Sequence, residues 1–125
     1  NNDFLKKYKY FDICGHSAGG SIGVIAAYEL NLRGYNVGNV VSFGSPKVTD
    51  KNGCEILEDA INYTRITCND DIFVDAPPNI FGYKYNHFGK HVHIDNTSNN
   101  DDFHNIFSIH SMQNYDNLLE NKHFL

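Results

Sequence analysis

The sequence has little of what a nucleic-acid-binding or membrane-spanning protein needs. Its 125 residues carry 10 Lys and Arg against 15 Asp and Glu, which gives a formal net charge of -5 at pH 7. The basic residues form no cluster larger than Lys6-Lys7, whereas binding to a phosphate backbone requires a basic patch. No apolar run approaches the roughly 18 residues of a transmembrane helix. We therefore expect neither a nucleic-acid partner nor a transmembrane segment.

Cysteine is scarce too, which excludes a disulfide framework. The three cysteines, Cys14, Cys54 and Cys68, are odd in number and far apart. Such spacing favours free thiols in strands over disulfides or a cysteine-based metal site. A hydrophobic content of 41% over this length is typical of one globular domain with a real core. The compartment stays open.

What is present is an alternation of strand-like and helix-like segments. β-branched and aromatic runs predict strands, apolar residues at helical spacing predict helices, and Gly, Pro and Asn mark the loops between them. Two strands around one helix indicate a βαβ crossover and hence a parallel sheet. The predicted elements are strands at 7–14, 36–46, 61–68 and 91–94, helices at 21–34, 54–60 and 111–119, and a polar loop at 95–102.

The last helix has a simple packing signal. At helical spacing, one face carries four apolar residues: Met112, Tyr115, Leu118 and Leu119. A face of this kind is typical of a helix that covers a core. We expect all four side chains to pack inward.

A serine between glycines follows the first predicted strand. Gly15 and Gly19 lie two residues before and after Ser17, and a tight strand-turn-helix leaves no room for a Cβ at either position. The turn would leave Ser17 projecting from the carboxyl edge of the sheet. It would also aim the backbone N–H of Ala18, at the helix N-terminus, toward a developing oxyanion. The pattern predicts a nucleophile elbow over residues 15–19, including His16.

A nucleophilic serine on this architecture needs an acid and then a histidine further along the chain. Asp70 and Asp71 directly follow the strand that ends at residue 68, at the edge where the serine lies, and spacing alone does not separate them. His110 precedes the last helix, with His104 and His123 as competitors. The other downstream acids fall in or near an exposed helix: Asp50, Glu55, Glu58 and Asp59.

Several ordered motifs together resemble the class 3 lipases, the fungal-lipase-like branch of the α/β-hydrolase fold. The resemblance covers most of the chain and is much more specific than the glycine-flanked serine alone. The matching segments are Gly15-His16-Ser17-Ala18-Gly19-Gly20 (family GHSLGG), Val41 to Val48 (family FGxPRV), Asn69-Asp70-Asp71-Ile72 with Pro77-Pro78, Tyr85-x-His87-x-Gly89, and His110-Ser111-Met112 with Tyr115.

The resemblance implies site residues and a fold. Ser17 would be the nucleophile and His110 the general base, and counting back from the double proline selects Asp71 as the orienting acid. The chain departs from the family pattern at Ala18, Lys47 and Phe73-Val74. The family places its second oxyanion donor and its lid well before the nucleophile. We therefore expect residues 1–125 to form a single partial catalytic domain, the C-terminal half of an α/β-hydrolase fold, without the N-terminal strands and lid.

The function implied is a serine hydrolase that cleaves carboxylic esters of acylglycerols or related lipids through an acyl-enzyme. No cofactor and no metal are implied, and the partner is a lipid ester, at a lipid-water interface. Two alternatives stay open: an inactive hydrolase-like interaction module, and an acyltransferase or thioesterase on the same fold. A zinc site at His87, His91 and His93 is a further, weaker reading, because His-x-His in a strand places both rings on one face.

Overall fold

A computed structural model describes residues 7–68, 71–80, 82–95 and 106–121. In these ranges strands and helices alternate as the sequence predicts. The strands are β1 (Phe11–His16), β2 (Val37–Phe43), β3 (Thr49–Asp50), β4 (Asn62–Cys68), β5 (Tyr85–Asn86) and β6 (Lys90–Ile94). The helices are α1 (Ala18–Leu32), α2 (Lys51–Ala60), α3 (Ile106–Ile109) and α4 (Met112–Asn121), and a 3-10 turn spans Ile72–Asp75.

Four strands form a parallel sheet in the order β1-β2-β4-β6. The remaining two, β3 and β5, pair antiparallel in a small separate ribbon. The fold is therefore α/β, mostly parallel with flanking helices, which confirms the predicted class. Because parallel strands end at one edge, the residues after β1, β2 and β4 meet there.

Helix α1 begins earlier than the sequence pattern predicts, at Ala18 instead of residue 21. The glycines at 19 and 20 are poor helix formers, so apolar periodicity places the start after them. The helix buries Val24 and Ala27 against Val40 of β2. This aliphatic core fixes α1 across β1 and β2, so the start of the helix lies at the carboxyl edge of the sheet.

The opposite face of the sheet carries a second core beneath α4. Tyr115 and Leu118 pack there with Ile94 of β6 and Cys68 of β4, and Leu119 is partly buried beside them. Met112 does not join them, because 39% of its surface is exposed. The predicted inward face of the last helix was thus right for three residues and wrong for Met112, which begins the helix beyond the reach of the core.

The thiols are free, as predicted, in all three cysteines. Cys14 and Cys68 lie in strands, whereas Cys54 lies in α2, the helix predicted at 54–60. Of the polar loop predicted at 95–102, only Asp95 lies within the described residues. Within the described ranges no helix is both long and apolar enough to cross a membrane.

Candidate active site

Ser17 occupies a sharp turn between β1 and α1. Its backbone φ is 56° and ψ is -132°, and it is the one non-glycine residue of the described ranges with a positive φ. The N–H of Ser17 donates to the carbonyl of Phe43 at the end of β2, at 2.9 Å. This strained conformation is held by the neighbouring strand and turns the side chain out of the sheet.

The glycines around the serine differ in how much space a Cβ would have. A Cβ on Gly15 would lie 2.4 Å from the carbonyl oxygen of Gly19, in the first turn of α1. A Cβ on Gly20 would lie 2.8 Å from the Cβ atoms of Ser42 and Ser45. A Cβ on Gly19 would meet nothing within 4 Å. The predicted steric need was therefore right at Gly15 and wrong at Gly19, because the close approach on the helix side falls at Gly20.

Asp71 lies just after β4 and is 4% exposed. Its Oδ1 accepts from the N–H of Phe73 at 3.1 Å, which caps the 3-10 turn. The turn begins where the parallel strand ends, so the carboxylate lies at the same sheet edge as Ser17. Asp70, the alternative acid, lies outside the described residues.

His110 links the acid to the serine. It stands between α3 and α4, and its Nδ1 lies 2.9 Å from Oδ2 and 3.0 Å from Oδ1 of Asp71. Its Nε2 lies 2.7 Å from Oγ of Ser17. A carboxylate only accepts hydrogen bonds, so Nδ1 carries the proton and Nε2 accepts the hydroxyl proton of Ser17. The structure thus brings together the three side chains predicted for nucleophile, acid and base.

Tyr115 adds a contact that the sequence analysis missed. It is fully buried, and its hydroxyl donates to Oδ2 of Asp71 at 2.7 Å while accepting the N–H of Cys68 at 3.3 Å. Burial, followed by the bond to Asp71, raises the pKa of Tyr115 well above its ordinary range, so the group stays a donor. Gly44, with φ 58°, makes room, since a Cβ there would lie 2.7 Å from Oδ2 of Asp71.

The other residues of the predicted elbow lie on either side of the serine. His16 ends β1, and its ring centroid lies 4.8 Å from that of His110. Ala18 begins α1, so its N–H has no carbonyl acceptor within the helix. The N–H therefore lies at the positive end of the helix dipole, beside the serine.

The three histidines of the weaker zinc reading do not converge. Nε2 of His87 lies 2.9 Å from the carbonyl oxygen of Val74, whereas Nε2 of His91 and Nδ1 of His93 each lie 2.8 Å from Oγ1 of Thr67. Burial, then Arg65, lowers the pKa of His87 to about 4. No group of three metal-ligating side chains occurs among the residues that the structure describes. His104 and His123, the alternative bases, lie outside them.

The sequence profile of the family "Lipase (class 3)" matches residues 2–81, more than half of the chain. The chain belongs to the class 3 lipase family. The matched range includes Ser17 and Asp71 and ends before His110. Membership confirms the predicted resemblance, and with it the α/β-hydrolase assignment of the parallel sheet.

Solved lipases share this fold. A lipase from Rhizopus microsporus var. chinensis is 27% identical with a TM-score of 0.64, and the match covers 74% of this chain and 34% of that one. The Rhizomucor miehei triacylglyceride lipase is 29% identical with a TM-score of 0.65, covering 74% and 37%. A triacylglycerol lipase whose catalytic centre is described as a serine protease triad is 28% identical with a TM-score of 0.65, covering 78% and 38%. The present class 3 lipase chain thus matches little more than a third of each relative.

Proposed function

We propose that the protein is a serine hydrolase that cleaves carboxylic esters of acylglycerols or related lipids, with Ser17 as nucleophile, His110 as general base and Asp71 as orienting acid. The observation that carries the proposal is the unbroken chain of contacts from Ser17 Oγ through His110 to Asp71. Family membership and a related triacylglycerol lipase with a serine protease triad support it.

Acylation begins when Ser17 Oγ attacks the ester carbonyl carbon and its proton passes to Nε2 of His110. The oxyanion accepts the N–H of Ala18 at the start of α1. The carbon–oxygen bond to the alcohol then breaks, and His110 gives its proton to the departing oxygen. The products of this half-reaction are the free alcohol and an ester of Ser17.

Deacylation repeats these transfers with water as the nucleophile. His110 takes a proton from water as the oxygen attacks the acyl carbon, and returns a proton to Ser17 Oγ when the carboxylic acid leaves. Asp71 stabilises the imidazolium in both halves and keeps the proton of neutral His110 on Nδ1. The side chain of Asp71 is 0% exposed and that of His110 is 12% exposed. Because the pair is buried, solvent screens its interaction little.

The surroundings of the site favour an apolar ester. Large apolar side chains within three residues of Asp71 or His110 in sequence are exposed, namely Ile72 at 56%, Phe107 at 64% and Met112 at 39%. Exposed apolar groups this close in sequence to the acid and the base suit an acyl chain or a lipid-water interface. We propose lipid esters presented at such an interface as the substrate, with neither cofactor nor metal.

The proposed domain is partial. In the pattern of the family, the second oxyanion donor and the lid come from segments before the nucleophile, so we propose that residues 1–125 act together with such segments. The hydrolytic activity is therefore a property to test in the full-length protein.

The test is hydrolysis of p-nitrophenyl esters, from short to long acyl chains, by the full-length protein. Ser17→Ala, Asp71→Asn and His110→Ala should each lower kcat by about 10⁴-fold, because the three side chains act as a unit. Asp70→Asn and Asp75→Asn, close to Asp71 in sequence, are the matched controls, and both should keep wild-type turnover. The acyl-length profile separates a lipase from a general esterase.

Two results would count against the proposal. A folded wild type without turnover favours the inactive interaction module, and full activity in Ser17→Ala excludes Ser17 as the nucleophile. Product analysis with an added alcohol addresses the acyltransferase alternative, because a transferase passes the acyl group to the alcohol instead of to water. Hydrolysis of a matched acyl thioester addresses the thioesterase alternative, because a thioesterase releases a thiol as the leaving group. Transfer that greatly exceeds hydrolysis would replace the hydrolase assignment.

A further inference from the structure

His16 makes a contact that the proposed triad does not explain. Its Nε2 lies 2.5 Å from the backbone carbonyl oxygen of His110. A carbonyl only accepts, so Nε2 of His16 carries a proton and donates it. The histidine directly before the proposed nucleophile therefore binds the main chain of the proposed base, 94 residues away in sequence.

The segment around His110 explains why such a contact is useful. His110 lies in the short connection between α3, which ends at Ile109, and α4, which begins at Met112. Side-chain donors hold two successive carbonyls there. Nδ2 of Asn114 donates to the carbonyl of Ile109 at 2.9 Å, and His16 donates to that of His110.

These two donors differ in what they attach the connection to. Asn114 belongs to α4, so its bond holds the connection to its own helix. His16 belongs to β1, the strand that ends one residue before Ser17, so its bond holds the base to the backbone that presents the nucleophile. A single hydrogen bond thus spans the two parts whose separation sets the 2.7 Å contact from Nε2 of His110 to Oγ of Ser17.

We propose that His16 is a positioning residue, which fixes the backbone of His110 so that the imidazole stays within hydrogen-bond distance of Ser17. The inference rests on the proposed function. Proton transfer is sensitive to small errors, and a displacement of about 1 Å can cost about 100-fold in rate. The hydrogen bond that Nδ1 donates to Asp71 fixes the ring of His110 but not its main chain. Losing His16 therefore impairs the base without removing it.

The decisive pair of variants is His16→Phe and His16→Gln in the full-length protein. Phenylalanine keeps a flat ring beside His110 and loses the donor, whereas the glutamine amide keeps an N–H donor of similar reach. Active sites are counted by titration with a p-nitrophenyl phosphonate, which releases one p-nitrophenol for each Ser17 that reacts. Turnover is then expressed per titrated site, so a smaller yield of folded protein does not affect kcat.

We expect His16→Phe to lower kcat by about 10- to 100-fold with KM nearly unchanged, and His16→Gln to restore most of the loss. His93→Phe, which removes a half-exposed imidazole on β6, is the matched control and should keep wild-type kcat. If His16→Phe does not fold, His16→Met replaces it, since methionine fills similar space without a donor.

Wild-type kcat per titrated site in His16→Phe would overturn the inference, as would a His16→Gln variant as impaired as His16→Phe. These failures differ from failure of the proposed function. An inactive wild type, or activity in Ser17→Ala, refutes the hydrolase itself. Turnover that depends on Ser17 but not on His16 refutes only the positioning role.

Discussion

Two parts of the molecule align a hydroxyl, an imidazole and a carboxylate. At the carboxyl edge of the sheet, Ser17 Oγ lies 2.7 Å from His110, and His110 lies 2.9 Å from Asp71. Between β4 and β6, Thr67 Oγ1 lies 2.8 Å from Nδ1 of His93, whose Nε2 lies 3.0 Å from Asp95. We call these the elbow cluster and the strand cluster.

The clusters differ in burial and in backbone. In the elbow cluster the imidazole and carboxylate are 12% and 0% exposed, whereas His93 and Asp95 are 41% and 75% exposed, so solvent screens the second pair. Ser17 stands at a helix start with a positive φ. Thr67 lies within a paired strand, where N–H groups serve the sheet. If the proposed function holds, the difference teaches that the backbone, more than the order of side chains, equips a hydroxyl for nucleophilic attack.

Gly15→Ala should have the largest effect, because it disrupts the tight turn between β1 and α1, which the strand cluster lacks. The new Cβ would lie 2.4 Å from the Gly19 carbonyl oxygen, so α1 or β1 must shift. We expect a loss of about 3 kcal/mol or more in the free energy of unfolding, measured by urea denaturation, and loss of esterase activity.

Gly19→Ala is the matched control for Gly15→Ala. The added methyl group meets nothing within 4 Å and lies in a helix, where alanine is favoured over glycine by roughly 0.5–1 kcal/mol. Stability should be equal to or above that of the wild type. Equal losses in the two variants would show that the elbow does not depend on close approach at Gly15.

Tyr115→Phe should have the next largest effect. It removes the donor to Asp71 Oδ2 and leaves the N–H of Cys68 without its acceptor, both in a buried setting. We expect a loss of about 1–3 kcal/mol in stability and about a 10-fold decrease in kcat, measured by urea denaturation and ester hydrolysis.

Thr67→Val is the counterpart of Tyr115→Phe in the strand cluster. It also removes a buried hydroxyl, the partner of both His91 and His93, and should cost about 1–2 kcal/mol. Its kcat should equal that of the wild type. A fall in kcat in Thr67→Val as large as that in Tyr115→Phe would show that the two clusters do not differ in function.

The sequence was sufficient wherever the signal is local. Around Ser17 the signal is contiguous: a strand, then glycines, then an apolar helix. A β-branched run likewise predicts the strand that ends just before Asp71. Parallel pairing then brings successive strand ends to one edge. These facts were enough to predict the sheet, the helices and Ser17 at their shared edge. The choice of Asp71 over Asp70, and of His110 over the other histidines, came from the resemblance to the class 3 lipases.

The remainder depends on contacts between distant segments. Tyr115 and Asp71 are 44 residues apart, and helical periodicity indicates only that Tyr115 faces inward, not that its hydroxyl reaches a carboxylate. His16 and His110 are 94 residues apart, and no sequence pattern indicates their contact. Gly19 and Gly20 are indistinguishable by pattern, because which of them faces β2 depends on how α1 lies on the sheet.

The smallest expected effect is a pH dependence at His91, which shares the hydroxyl of Thr67 with the strand cluster. Burial, then Arg65 and His93, lowers the pKa of His91 in the folded protein. As the pH falls below about 6.5, the unfolded chain binds this proton first, so stability decreases with falling pH. Because His91 is exposed, screening limits the contribution to less than about 0.5 kcal/mol.

His91→Gln isolates this contribution, since its amide can still bond to Thr67 but cannot titrate. We expect the drop in Tm from pH 7.5 to pH 5 to be roughly 1–2 °C smaller in the variant than in the wild type. His87, whose pKa of about 4 gives a dependence of the same sign, is present in both proteins and cancels in the difference. Equal drops would show that proton binding at His91 does not distinguish the folded from the unfolded chain.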